Sequence, residues 1–78
     1  MSRLDAIEDE KRRAKQAAKW GARMTKLRNR KKDRLLESQF CRKYGITPEV
    51  FNRCKRGENI PTQETFNKVQ AGFSAEGV

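Results

Sequence analysis

The chain has 78 residues, 35% of them hydrophobic, enough for one small domain with a three- or four-helix core and too few to enclose an active site. It contains no histidine and two cysteines, which excludes a zinc site of four nitrogen or sulfur ligands, a Ser-His pair and a Cys-His pair; neither an enzyme nor a bound cofactor is expected. Its net charge of +9 makes a polyanion the natural partner.

That charge is unevenly spread. Residues 1 to 10 carry a net −3, residues 11 to 34 a net +11 and residues 35 to 78 a net +1. Twelve lysines and arginines against Asp33 alone would release condensed counterions on meeting a phosphate backbone; the plainer alternative is a solvated helix face or a loose basic tail. No apolar run approaches the roughly 20 residues that span a bilayer, and the first residues lack the apolar stretch of a signal peptide. A cytoplasmic protein with no membrane partner and with free thiols at Cys41 and Cys54 is expected.

Residues 2 to 32 contain no proline and no cluster of turn residues, and their Ala, Lys, Arg, Glu and Gln content predicts a long basic helix. Ser2 is placed to cap it, with Asp5, Glu8, Asp9 and Glu10 near the positive end of its dipole. Leu4, Ile7, Ala14 and Ala18 share one helical stripe, and Ala17, Trp20, Met24 and Leu27 another, offset by roughly 100°. The second stripe is the core candidate, with Trp20 as anchor rather than base-stacking platform. The first is mostly alanine, either solvated or a weak dimer seam. A heptad reading places Lys11 and Gly21 at core positions, which argues against a coiled coil. Gly21 costs the helix about 1 kcal/mol relative to alanine and is expected to mark where an N-terminal arm gives way to the folded helix. Asp33 is the candidate N-cap of a second helix beginning around Arg34 to Leu36.

Leu36, Phe40, Cys41 and Tyr44 then form an apolar face on a helix that ends at Gly45, where positive φ is tolerated. Ile46 plugs the turn. Thr47 as N-cap and Pro48 as first residue open the next helix, with Val50, Phe51 and Cys54 expected inward and Glu49, Asn52, Arg53, Lys55 and Arg56 outward; Gly57 closes it. After a loop containing Asn59, Ile60 and Pro61, Thr62 caps a last helix whose buried face is Phe66, Val69 and Phe73. Residues 74 to 78 have little to bury and are expected to fray.

Phe40 to Phe73 resembles the Cro/C1-type helix-turn-helix domain of phage repressors and the wider Xre-like bacterial regulators. The residues that carry the likeness are Cys41 four before the turn glycine Gly45, Ile46 after it, Phe51 and Cys54 six and nine after it, then Arg56-Gly57 and the Pro61-Thr62 helix start. Leu27 and Arg30 fall where the family's first helix has a core leucine and a backbone-contacting arginine. Glu37, Pro48 and Glu49 depart from the Gln, Ser or Thr usual at those positions. The resemblance implies an all-α, four-helix lambda-repressor-like domain over residues 17 to 73, with residues 1 to 16 as an extension or arm.

It also implies that the helix from Thr47 to Arg56 enters the major groove of double-stranded DNA. Thr47, Glu49, Asn52 and Arg53 are then the candidate base contacts: asparagine pairs with adenine, arginine with guanine, and a glutamate accepts from a cytosine amine. Arg23, Lys26, Arg30, Lys31, Lys32, Arg34, Lys55, Arg56 and Asn59 are the candidate phosphate contacts, which position without specifying. The expected function is a transcriptional regulator of phage or mobile-element type that represses by occupying an operator. Any homodimer is expected through the long N-terminal helix or the last helix. The alternative is a protein-binding adaptor on the same fold, an antitoxin or antiactivator, docking a protein partner through the N-terminal helix.

Overall fold

Where the composition predicts one helix over residues 2 to 32, there are two. The computed structural model describes residues 3–78, and Ser2, the expected cap, and the side chain of Leu4 lie outside what is described. Helices α1 (Arg3–Ala17) and α2 (Trp20–Arg28) are separated at Ala18 and Lys19, where Lys19 N–H reaches back three residues to Gln16 O at 3.0 Å. Ala18 and Lys19 are ordinary helix formers, and the one local breaker, Gly21, sits inside α2. Tertiary packing therefore overrides propensity here. The interruption falls directly before Trp20, whose ring is fully buried and stacked on Phe51 at 5.3 Å with the planes 1° apart.

Three further helices complete the fold: α3 (Glu37–Lys43), α4 (Pro48–Lys55) and α5 (Gln63–Glu76). Among the described residues all regular structure is helical. The separation of α1 from α2 makes five helices of the four expected. Their core is an aromatic cluster to which α2, α3, α4 and α5 each contribute one fully buried ring, respectively Trp20, Phe40, Phe51 and Phe73. Phe40 stacks on Phe73 at 4.7 Å and meets Phe51 at 5.9 Å. Such pairs contribute about 0.5 to 1.5 kcal/mol each beyond the area they bury. Ala17, Met24, Leu27, Cys41, Ile46, Cys54 and Val69 fill the remaining space, and Phe66 is half-buried beside Trp20.

The connections in the C-terminal half follow local chemistry closely. Gly45 has φ 67°, and Ile46 N–H donates to Cys41 O at 2.8 Å, so α3 ends in the left-handed cap that orphan carbonyls favour. Gly57 repeats the device with φ 82° and a Glu58 N–H bond to Arg53 O at 2.9 Å. Thr62 Oγ1 accepts from Thr65 N–H at 3.2 Å to cap α5. Thr47 occupies the N-cap of α4 without a side-chain bond, and Pro48 is its first residue.

Four expectations are corrected. Asp33 does not cap α3; it lies in the loop with φ 55°, and α3 begins four residues later, with Leu36 N–H bonded to Gln39 Oε1 at 2.9 Å. This later start turns Leu36 outward, 51% exposed, while Leu35 packs against the core. Val50 is exposed on the flank of α4, because Phe51 and Cys54 alone define its inner face. Residues 74 to 78 are tied down: α5 runs to Glu76, Gly77 caps it with φ 75°, and Val78 packs on the core.

Candidate nucleic-acid interface

Helix α4 divides cleanly around its axis. At 100° per residue the inward direction set by Phe51 and Cys54 leaves Glu49, Asn52, Arg53 and Arg56 on the opposite side. Glu49 and Arg53 are well exposed and paired, Arg53 Nη2 donating to Glu49 Oε1 at 2.7 Å across one helical turn. Asn52 is half-buried, and Arg56 is exposed with Glu58 3.4 Å away. Thr47 at the start of the helix and Asn59 beyond its end are both exposed. The face therefore presents donors from three residues and one acceptor-only carboxylate.

Lys55 lies apart from that face. Its ammonium is part-buried and donates to Glu37 Oε1 at 2.5 Å, fastening the last turn of α4 to the first of α3. Together with Gly21, Met24, Thr25 and Arg28 the pair lines a groove of about 360 Å³ where α2, α3 and α4 meet. Met24 and the Lys55 stem supply its apolar lining.

The cations expected to touch phosphate separate into two groups. Lys26 on α2 and Lys31, Lys32 and Arg34 in the loop before α3 are exposed. Arg23 and Arg30 face inward: Arg23 donates to Gln70 Oε1 at 3.2 Å and lies 5.5 Å from the Phe73 ring centroid. Arg30 donates to Glu76 O at 2.9 Å, Glu76 Oε1 at 2.8 Å and Asp33 O at 2.6 Å, holding the loop onto the end of α5. On α1, Arg13 is likewise an intramolecular residue, donating to Pro61 O at 2.9 Å and also paired with Asp9. It docks the helix against the start of α5.

Glu76, absent from the expected site, gathers three partners from two other parts of the fold. Its carboxylate accepts from Arg30, from Lys43 at 2.7 Å and from the Tyr44 hydroxyl. The bonds from Lys43, Tyr44 and Arg30, in that order, hold its carboxyl down at about 2, and the same bonds push the Lys43 and Tyr44 values up. It escapes the sequence because residues 74 to 78 are expected to fray, and only the structure puts Glu76 in the last turn of α5. A carboxylate in the last turn of a helix opposes the dipole, and compensating cations are its ordinary remedy. The half-buried Gln70, which also accepts from Trp20 Nε1 at 3.3 Å, carries no signal in the sequence either. Burial pushes the Cys41 thiol up to about 11 and raises Cys54 too, so both thiols stay protonated.

Comparison with protein-family models, with curated proteins and with solved structures returned no match. The class the fold defines is a small all-helical domain, and no helix among the described residues is long and apolar enough to cross a membrane.

Proposed function

We propose that the protein is a sequence-specific DNA-binding regulator built on a lambda-repressor-like helix-turn-helix, with α4 lying in the major groove and repression arising from operator occupancy. The observation that carries this reading is the outward face of α4, where Glu49, Asn52, Arg53 and Arg56 stand over a buried Phe51 and Cys54. A helix so constructed offers base-reading side chains on a rigid support. Lys26, Lys31, Lys32, Arg34, Arg56 and Asn59 supply the phosphate contacts, while Arg23, Arg30 and Lys55 are assigned to holding the fold, since protein groups already engage them.

A salt titration against duplex DNA that contains a selected site and against scrambled duplex tests the reading. Specific binding weakens steeply with salt yet retains a preference for the site. Arg53→Ala relaxes the preference at one base position, whereas Lys31→Ala weakens all sequences alike. Binding that is equally weak on every sequence at every salt concentration would sink the proposal.

A second reading rests on Ile7, which is 44% exposed on α1. A protein-binding adaptor would use that side chain as an anchor for a partner helix. Ile7→Asp would then abolish partner capture and leave DNA affinity unchanged.

A further inference from the structure

The Glu49–Arg53 pair sits on the face proposed to read DNA, and a carboxylate is the one side chain there that a phosphate-lined groove repels. Its presence demands a donor. In the major groove only cytosine N4 and adenine N6 donate, whereas guanine and thymine present acceptors at the corresponding edge. Arg53 occupies Glu49 Oε1, which leaves Oε2 as the open acceptor. Adenine sets its N7 acceptor beside the N6 amine, opposing a second carboxylate lone pair; cytosine sets a C–H there. The balance favours cytosine.

Arg53 completes the match. Its guanidinium has five donors and commits one of them, Nη2, to Glu49, so others remain for an acceptor. The edge of a C·G pair shows the cytosine amine next to guanine O6 and N7, a donor beside two acceptors. The helix shows an acceptor beside a set of donors. The side chains are 71% and 52% exposed, so neither has to be extracted from the core to reach a base. Their mutual contact also orders both before binding, which cuts the entropy lost on docking. We infer that Glu49 and Arg53 act as one unit that reads a single C·G base pair, Glu49 selecting cytosine and Arg53 its paired guanine.

This inference rests on the DNA-binding reading, and the test separates their failures. Wild-type protein is used to select sites from randomised duplex DNA, and affinities are then measured for the selected site and all substitutions at each position. One position requires C·G by about tenfold or more. In Glu49→Gln, where an amide matches adenine N6 and N7, that position shifts to A·T while the others keep their preferences. Placing 7-deazaguanine in the pair removes one acceptor; it weakens wild type several-fold and leaves Arg53→Ala unaffected. A selected site whose base preferences are unchanged in Glu49→Gln, or one with no C·G requirement, overturns the inference while the regulator reading stands. Failure to select any site overturns both. Glu49 is exposed at the surface, so the variant folds as wild type, which a thermal melt verifies.

Discussion

Glu76 shows how much of this fold hangs on one side chain. Its carboxylate is 8% exposed and compensated by Arg30, Lys43 and Tyr44, which join the loop before α3, the end of α3 and the end of α5. Its acidity is strengthened from an ordinary 4.5 to about 2, so the ionised form is the one the fold prefers. A lowered carboxyl value stabilises fully above the ordinary range, and that contribution disappears as pH falls from about 4.5 toward about 2. Urea unfolding across this window should show a stability loss that is absent in Glu76→Gln. At neutral pH the variant should itself be less stable by about 1.5 to 3 kcal/mol, the range for hydrogen bonds to charged groups. A variant with wild-type acid sensitivity would show that other carboxylates govern the transition. The cysteines make a separate case at the same scale. Both are buried and held protonated, Cys41 at about 11, so a thiol reagent at pH 8 should react slowly with native protein and with two thiols per chain once urea unfolds it.

Two helical glycines carry different predictions. In α2, a Cβ on Gly21 would meet Lys55 Cγ at 3.6 Å, ordinary contact, so Gly21→Ala should stabilise by about 1 kcal/mol through helix propensity. In α5, a Cβ on Gly72 would come within 2.9 Å of Phe40 Cζ and 3.0 Å of the Tyr44 ring. Phe40 is fully buried and cannot move aside, so overpacking of about 1 to 3 kcal/mol opposes the same propensity gain. Gly72→Ala should therefore be neutral at best and up to about 2 kcal/mol destabilising, and thermal melts should show Gly21→Ala raised and Gly72→Ala unchanged or lowered. This contrast also marks what the sequence reveals. From Phe40 onward the helix ends are legible because Gly45, Pro48, Gly57 and Thr62 each act through a local backbone rule. The break at Ala18 and Lys19 is only approached by the sequence, which puts the passage from arm to folded helix at Gly21; its place answers to Trp20 packing on Phe51, a contact between residues 31 apart in the chain. Leu35 and Leu36 are adjacent, and one residue of phase decides which is buried. Among the proposed contacts, Glu49, Asn52, Arg53 and Arg56 follow from the periodicity of α4, whereas Lys55, expected outward with them, turns to Glu37 instead. Which of the basic residues turn inward is not legible: Arg23 and Arg30 are drawn in by partners that α5 supplies across the fold.

At the scale of the whole molecule, charge and shape together limit the electrostatic grip. The long dimension is 45 Å and the others 22 and 19 Å, so a duplex meets all the cations only if it runs along that long dimension. If all twelve basic residues between 11 and 34 neutralised phosphates, the affinity would fall with salt at a log–log slope of about −11. The arrangement argues for much less. Arg13, Arg23 and Arg30 are engaged by protein groups. Lys26, Lys31, Lys32, Arg34 and Arg56 are the exposed cations assigned to the duplex, and five neutralised phosphates correspond to a slope of about −4.5. Replacing Lys31 and Lys32 together by alanine should bring the slope to roughly −2.7, since each lost contact removes about 0.9. The ratio of affinities for selected and scrambled duplex should stay constant in that variant, because phosphate contacts position the helix without reading bases. A slope near −11 in wild type would instead place α1 along the backbone, and an unchanged slope in the double variant would remove the loop before α3 from the interface.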